Sequence, residues 1–191
     1  DRIREVFGNV ALIGRSKRTR VYEATKITDQ SAAPRIDAST SFQAKAADGR
    51  DLSFISRAGV FSSEGLDQGS RTLIDAISPL VGGRVLDLGC GAGTVGIMLA
   101  SGGNGESLTM VDVNAMATAC AAGNAERNGL GDRTTVLNDD LYGMIDGQTY
   151  EWIVSNPPFH EGNAVAHPLI EGAASHLSDA GRLALVVMRV N

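Results

Sequence analysis

The stretch Val85-Leu86-Asp87-Leu88-Gly89-Cys90-Gly91-Ala92-Gly93-Thr94 joins an apolar run to a turn with glycine at every second position. The apolar run has the length and composition of a buried strand, and the residues after Gly93 are typical of the start of a helix. Glycine lets the backbone approach a ligand where a Cβ atom would collide, and a helix N-terminus offers N–H groups to an anion. The stretch therefore predicts a strand–turn–helix unit with a ligand at the turn.

Further apolar bursts of strand length follow this unit, and helical segments separate them. The bursts lie at 108–113, 135–137, 152–155 and 183–188, and we expect helices at 69–80, 94–101, 115–128 and 168–178. Pro168 suits the first turn of the last helix, and Gly181 is expected to cap it. This alternation predicts an α/β fold with a doubly wound, mostly parallel, Rossmann-like sheet that binds its ligand at the carboxyl ends of the strands.

The first fifty residues have a different character. Residues 1–28 predict a short helix and a β-hairpin appendage, and residues 29–50, with few large apolar side chains, predict a linker. Ten of the 17 Lys and Arg residues precede residue 51, but only six of the 22 Asp and Glu residues do. The acidic remainder, 51–191, is a poor trap for nucleic acid by itself. The basic segment either compensates for it or is a solvated surface loop.

Composition excludes several classes of protein. The 191 residues are 43% hydrophobic and 20% charged, which is typical of a globular domain with a sizeable core. No apolar run approaches the ~18 residues of a membrane span, and no signal-peptide pattern follows Asp1. The two cysteines and three histidines have no metal-ligand spacing, so we predict no metal site and a reducing, cytoplasmic environment. Cys90 has no histidine near it in sequence and is interpreted as structural filler.

The glycine turn fits two classes of ligand, both of which contain adenosine. Gly91-Ala92-Gly93-Thr94-Val95-Gly96 is a literal G-x-G-x-x-G, the dinucleotide fingerprint, whereas Asp87-x-Gly89-x-Gly91-x-Gly93 is the pattern of S-adenosylmethionine sites. Asp112 ends the second strand, 21 residues after Gly91, where an acid can bind both hydroxyls of a ribose. The turn alone does not choose between these ligands, and a tight turn without any ligand is the third interpretation.

The fourth strand ends in a second motif, Ser155-Asn156-Pro157-Pro158-Phe159, and its two prolines predict a rigid loop. The Asn156 side-chain oxygen and the Pro157 carbonyl can both accept hydrogen bonds from one amino group, which would orient it for attack on an electrophilic methyl group. Phe159 offers a face on which an extruded base can stack. We therefore predict Asn156, Pro157, Pro158 and Phe159 as a catalytic loop; the alternative is a β-turn with a core phenylalanine.

Taken together, the two motifs resemble the class I S-adenosylmethionine-dependent methyltransferases that act on exocyclic amino groups. Ser155–Gly162, Gly59–Ser62 and Leu66–Ser70 more specifically resemble the small-domain methyltransferase family, typified by bacterial ribosomal RNA guanine-N2 methyltransferases. The resemblance covers about residues 51–191. It implies S-adenosyl-L-methionine as the cofactor, RNA or a ribosomal particle as the partner, and guanine N2 of ribosomal RNA as the methylated group.

The resemblance also implies roles for individual residues. Segments 59–62 and 67–69 would close over the cofactor, Asp112 would bind the ribose, and Asp139 with Asp140 would lie near the adenine. The cofactor-binding residues predicted from the turn and the resemblance are Phe61, Asp67, Gly69, Asp87, Gly89, Gly91, Gly93, Asp112, Asp139, Asp140 and Asn156.

Family members usually continue past the fifth strand with a helix and an antiparallel hairpin, and often carry two such domains in tandem. Residues 6–24 resemble such a closing hairpin. We therefore expect residues 1–28 to be the tail of an N-terminal methyltransferase-like domain that aids RNA binding, and the sheet to stop after strand five. The less favoured alternative is that this hairpin completes the sheet of the following domain.

Three other functions stay open. The same loop serves methyltransferases of adenine N6 or of protein glutamine amides. The fingerprint alone fits an NAD-dependent oxidoreductase, which leaves the Asn156 loop unexplained. A non-catalytic binding module is the third, because tandem families contain inactive copies.

Overall fold

The computed structural model describes residues 2–25, 39–61, 65–102, 104–157 and 163–187. The chain divides into two compact units, residues 1–37 and 38–191. Among the described residues, no helix is both long and apolar enough to cross a membrane.

The first unit is a short helix followed by a hairpin, as predicted. Helix α1 spans Arg2–Phe7, and strands β1 (Ala11–Arg15) and β2 (Arg20–Glu23) pair antiparallel, with an irregularity in β1 beside Gly14. The side chain of Asn9 closes the base of the hairpin, because it donates to the Thr25 carbonyl at 2.8 Å and accepts from the Thr25 N–H at 2.9 Å. Most side chains of the hairpin are exposed.

The second unit is built on a five-stranded sheet in which every pairing is parallel. Its strands are β5 (Gly83–Leu88), β6 (Gly105–Asp112), β7 (Thr134–Asn138), β8 (Tyr150–Ser155) and β9 (Leu177–Leu185). Their order in the sheet is β7-β6-β5-β8-β9: the chain adds β6 and β7 on one side of β5, and then β8 and β9 on the other. The prediction of a doubly wound Rossmann-like sheet is therefore confirmed. The reversal opens a crevice at the carboxyl ends of β5 and β8.

Helices cover both faces of this sheet. They are α2 (Gln68–Ile77), α3 (Thr94–Ser101), α4 (Ala115–Arg127) and α5 (Asn163–His176), with a 3₁₀ turn at Gly131–Arg133. Successive side chains of a strand enter different cores: Val85 packs with α2, α3 and α4, whereas Leu86 packs with α5. This burial on two sides explains why the strands read as nearly continuous apolar runs.

The predicted linker at 29–50 is wrong from residue 39 onward. Strand β3 (Ser39–Lys45) pairs antiparallel with β4 (Asp51–Arg57), and Phe42 stacks on the fully buried Phe54 with ring centroids 5.2 Å apart. Phe42 is the one large apolar residue of β3, because the strand lies at an edge and is mostly exposed. Such a strand has the composition of a loop. Residues 26–38 lie outside the described part of the chain.

The last helix and strand also begin earlier than predicted. Helix α5 starts at Asn163, so Pro168 lies inside the helix rather than in its first turn. Gly181 lies within β9 instead of capping the helix. A Cβ atom on Gly181 would stand 2.9 Å from the carbonyl oxygens of Ser178 and Tyr150, so the glycine serves close strand packing beside an irregularity in the β8–β9 register.

Candidate active site

The glycine turn connects β5 to α3 through a backbone that only glycine adopts easily. Gly89, Gly91 and Gly93 have φ angles of +67°, +55° and +80°. Gly93 is the N-cap of α3 and supplies no capping side chain, and a Cβ atom there would lie 2.9 Å from Met110 Sδ. Thus the turn lies tight against β6, with the N-terminus of α3 directed toward the crevice.

Asp87 lies inside the strand just ahead of this turn. Its side chain is 2% exposed, and Oδ2 accepts a hydrogen bond from the Gly96 N–H at 2.8 Å. Burial raises the pKa of Asp87 to about 7; the Gly96 hydrogen bond opposes the shift and the nearby Asp112 charge adds to it. A Cβ atom on Gly96 would stand 3.0 Å from Oδ2, so the last glycine of the fingerprint permits this contact between strand and helix.

Asp112 holds the glycine turn from the neighbouring strand. Its Oδ2 accepts from the Gly91 N–H at 2.8 Å, and its Oδ1 accepts from the Asn114 N–H at 2.8 Å. A carboxylate has about four acceptor positions, so both oxygens retain capacity for ribose hydroxyls. The structure therefore places Asp112 at the turn with a structural role, and its predicted binding of the ribose stays a prediction.

Asn156, at the end of β8, is tied to the start of α2. Its Nδ2 donates to Asp67 Oδ1 at 3.2 Å, to Asp67 Oδ2 at 3.3 Å and to Ser70 Oγ at 3.0 Å. A Cβ atom on Gly69 would lie 3.2 Å from Asn156 Oδ1. Three predicted residues, Asp67, Gly69 and Asn156, thus form one cluster. Pro157 is buried beside it, whereas Pro158 and Phe159 lie outside the described residues.

A cleft joins this cluster to the glycine turn. The described residues that line it are Phe61, Leu66, Ser70, Asp87, Gly89, Cys90, Gly91, Ala92, Thr94, Val95 and Asn156. Phe61 is 64% exposed, and its carbonyl oxygen would be 3.7 Å from a Cβ atom on Gly91. The cleft therefore unites segments that are as much as 95 residues apart, from Phe61 to Asn156.

The two aspartates at the end of β7 are set apart from this lining. Among the described residues, the cleft is bordered by neither Asp139 nor Asp140. The Asp139 N–H donates to the Asp112 carbonyl at 3.2 Å, and the Asp139 carboxylate accepts from the Met144 N–H. Asp139 is therefore one strand away from the ribose-binding candidate, and its predicted place near the adenine stays a prediction.

Two residues outside the predicted site support it. Asn124 of α4 is 1% exposed; its Nδ2 donates to the carbonyls of Ala92 in the glycine turn (2.9 Å) and of Ile55 in β4 (2.8 Å), and its Oδ1 accepts from the Ile55 N–H at 2.8 Å. Asn128 makes the same paired bonds with Ser53 at 2.9 Å each. Asn124 inside an alanine-rich helix was a usable sequence signal, since asparagine is a poor helix former, whereas Asn128 is the C-cap of that helix.

The thiol of Cys90 agrees with a packing role. The side chain is buried, and this burial raises the pKa of the thiol well above its ordinary value, with the charges of Asp87 and Asp112 adding to the effect. A protonated, buried thiol is a weak nucleophile.

The model of the methyltransferase small domain family matches residues 51–191. The chain belongs to this family. The uncharacterized protein YbxB of Bacillus subtilis is 39% identical over 142 residues, which are 73% of this chain and 70% of that protein. Ribosomal RNA small subunit methyltransferase C of Erwinia tasmaniensis is 44% identical over 133 residues, 67% of this chain and 38% of the relative. This methyltransferase chain thus spans well under half of the latter's length.

Solved structures agree with the fold. An S-adenosylmethionine-dependent methyltransferase from Geobacter sulfurreducens, in complex with S-adenosyl-L-homocysteine, has a TM-score of 0.51 and 28% identity, over 62% of this chain and 47% of that one. The predicted family is therefore confirmed. The family and this structural neighbour also support the predicted cofactor, S-adenosyl-L-methionine.

Proposed function

We propose that this chain transfers a methyl group from S-adenosyl-L-methionine to an exocyclic amino group of an RNA base, with guanine N2 of ribosomal RNA as the favoured target. The observation that carries the proposal is that Asn156 and the glycine turn line one cleft. A hydrogen-bond acceptor for an amine therefore lies beside the cofactor-binding candidate. The relative named as a ribosomal RNA methyltransferase supports RNA as the substrate class.

The residues of the cleft fit an adenosine-containing cofactor with a charged amino acid end. A Cβ atom placed on Gly89 would have no described atom within 4 Å, so the space beside its backbone is open to a ligand. Asp112 retains acceptor positions for the ribose, and Phe61 offers an exposed ring beside the turn. When bound, the cofactor supplies an electrophilic methyl group on sulfur.

The protein's own contribution is to orient the target amine. Asn156 Oδ1 and the Pro157 carbonyl accept its two hydrogens, which fixes the nitrogen in line for attack. These bonds strengthen as positive charge develops on nitrogen, so they act chiefly in the transition state. The amine releases a proton to solvent after transfer, and no strong base is needed. Pro158 and Phe159 complete the loop in this proposal, with Phe159 stacking on the base.

The N-terminal unit belongs to substrate binding in this proposal. Residues 1–28 would be the end of a preceding domain that aids RNA binding, and the whole enzyme would act on ribosomal RNA in the cytoplasm. The compact hairpin with exposed Arg15, Lys17, Arg18 and Arg20 supports this role.

Nucleoside mass spectrometry tests the proposal. The protein and labelled cofactor are incubated in three separate reactions: with unmethylated ribosomal RNA, with small ribosomal subunits, and with a glutamine-containing ribosomal protein. We expect label in N2-methylguanosine. Label in N6-methyladenosine or in glutamine would replace the target, and calorimetry that shows NAD binding more tightly than S-adenosylhomocysteine would overturn the cofactor.

A further inference from the structure

We infer that Asp67 is a positioning residue that fixes the direction of the Asn156 side-chain amide, so that its oxygen is presented to the target amine. The inference rests on the proposed function, because it assigns Asn156 the task of accepting hydrogen bonds from that amine. Asp67 itself is not among the described residues that line the cleft. It lies behind Asn156 and acts through it.

The amide of Asn156 has a donor end and an acceptor end of nearly equal size, and only one end suits the reaction. An amine presents N–H groups, so it needs the Oδ1 acceptor; the Nδ2 donor would repel it. A rotation of the amide by 180° would exchange the two ends with little change in shape. An enzyme that uses asparagine in this way therefore needs something that distinguishes them.

Asp67 provides the distinction. Its Oδ1 accepts from the Gly69 N–H at 2.9 Å and from the Ser70 N–H at 3.3 Å, so the carboxylate already acts as an acceptor at the start of α2. An ionised carboxylate only accepts hydrogen bonds. The end of the Asn156 amide that faces it must therefore be the nitrogen.

The hydrogen bonds follow this rule. All three bonds that join Asn156 to Asp67 and Ser70 use Nδ2, at 3.0 to 3.3 Å, and none of them occupies Oδ1. Gly69 adds a steric condition, because a Cβ atom there would stand 3.1 Å from Asp67 Oδ1 and 3.2 Å from Asn156 Oδ1. Position 69 therefore has to be small for the pair to keep this arrangement.

Capping of α2 does not account for both oxygens of Asp67. The two capping bonds use Oδ1 alone, whereas Oδ2 accepts from Asn156 Nδ2 at 3.3 Å. Serine and asparagine cap helices about as well as aspartate. If Asp67 were required only as a cap, serine or asparagine could replace it without loss. Substitution by these residues therefore separates the capping role from the positioning of Asn156.

The kinetic test uses Asp67→Ser and Asp67→Asn. Both keep a cap; serine removes the carboxylate that accepts from Asn156, and asparagine can face Asn156 with either end of its amide. We expect kcat for RNA methylation to fall about 10- to 100-fold, since misplacement of a reacting group by about 1 Å costs on the order of 10²-fold. The KM for RNA and the affinity for S-adenosylhomocysteine should stay within a few-fold. Asp75→Asn, on an exposed position of the same helix, removes an equal charge and should match the parent.

A second measurement does not depend on activity. In the substrate-free protein labelled with ¹⁵N, the side-chain NH₂ protons of Asn156, assigned by their absence in Asn156→Asp, should exchange slowly with solvent. They should exchange at least tenfold faster in Asp67→Ser and at the parental rate in Asp75→Asn.

The outcomes separate the two proposals. An inactive parent would overturn the proposed function, while the exchange data would still test Asp67. An active parent with Asp67→Ser at the parental kcat, or with unchanged Asn156 exchange, would overturn the role of Asp67.

Discussion

At the scale of single residues, Asp87 is a buried carboxyl group whose pKa is raised by its surroundings. The carboxyl group is 2% exposed, and its one described hydrogen-bond donor is the Gly96 N–H. Burial is the largest cause of its raised pKa. Burial therefore favours the neutral form of this group, which makes the stability of the strand–turn–helix unit sensitive to pH.

We predict that Asp87→Asn stabilises the protein above pH 7 but not near pH 4. The folded-state pKa of about 7 lies above the ordinary value of 3.8, so the parent loses stability as the pH rises between these values. The loss amounts to about 4 kcal/mol when complete. Asparagine keeps an acceptor for Gly96 and carries no charge, so its advantage should grow from pH 4 to pH 8 in urea denaturation.

Glu151 is a second carboxyl group with a large pKa shift, and its effect on stability falls in a different pH range. Arg84 lowers the pKa of Glu151 to about 2 through side-chain hydrogen bonds, so its contribution to stability is lost only as the pH falls from about 4.5 to 2. That window lies below the one for Asp87. Parallel curves for parent and Asp87→Asn between pH 4 and pH 8 would contradict the assignment.

Asp112 should affect cofactor affinity in two ways: through hydrogen bonds to the ribose and through its support of the glycine turn. We predict that Asp112→Ala weakens S-adenosylhomocysteine binding about 10- to 100-fold, since one charge-assisted hydrogen bond contributes ~1.5–3 kcal/mol. The substitution also removes the acceptor for the Gly91 N–H, so the turn loses a support. Calorimetry gives the affinity. Asp132→Ala, an exposed acid in the 3₁₀ turn, is the control and should bind like the parent.

Asn156 should behave in the opposite way. We predict that Asn156→Ala loses on the order of 10²–10³ in turnover, the effect of removing a preorganised polar group in the transition state. Affinity for S-adenosylhomocysteine should remain within a few-fold, because the glycine turn is untouched. Single-turnover methylation of RNA measures the first and calorimetry the second. Parental turnover would make the loop structural.

At the scale of elements, α4 docks the edge strand β4 through side-chain amides instead of a further strand. Asn124 and Asn128 pair with the backbone of Ile55 and Ser53 as a neighbouring strand would. Those backbone groups have their partners in side chains rather than in water. The hairpin β3–β4 is thus part of the domain, although its sequence looks like a linker.

We predict that Asn124→Ala destabilises the protein by about 2–5 kcal/mol. The substitution removes three hydrogen bonds of a buried side chain, and a buried group left unpaired costs roughly 1–3 kcal/mol. Denaturant unfolding measures the change. Gly123→Ala is the matched control in the same helix: a Cβ atom there meets nothing within 4 Å, so it should stabilise by about 0.5–1 kcal/mol.

The elements that sequence predicts well are those whose side chains are buried on both faces. Strands β5 and β8 and the glycine turn have compositions fixed by burial and by positive φ angles, so both motifs of the site can be found from sequence. Strand β3 escapes because one large apolar residue is enough at an edge. The hydrogen bonds between Asp67 and Asn156 escape as well, since they join residues 89 positions apart through side-chain geometry that no periodicity encodes.

At the scale of the whole molecule, charge is distributed unevenly along the chain. Residues 51–191 hold seven Lys and Arg residues against sixteen Asp and Glu residues. The hairpin of the first unit carries Arg15, Lys17, Arg18 and Arg20 on exposed positions. Phosphate binding by this chain should therefore depend on its N-terminal unit.

We predict weak RNA binding by this chain, with a Kd above about 1 µM at physiological salt, an order-of-magnitude expectation for non-specific binding. The double variant Lys17→Glu and Arg18→Glu should bind RNA more weakly still. It should also lower the slope of log Kd against log salt concentration by about two, because each cation that binds a phosphate adds about one to that slope. Gel shifts at several salt concentrations measure both. Arg71→Glu, exposed on α2, is the control. Tight binding that is insensitive to the hairpin charges would contradict the prediction.

One side chain, that of Asn124, holds both the carbonyl of Ala92 in the glycine turn and the backbone of Ile55 in β4. Strand β4 continues within a few residues to Phe61 at the cleft. A ligand that orders the turn therefore also opposes detachment of the hairpin, and by reciprocity a docked hairpin raises affinity for that ligand by the same factor. Hydrogen exchange of the Ile55 amide, whose N–H donates to Asn124 Oδ1, becomes a reporter of occupancy.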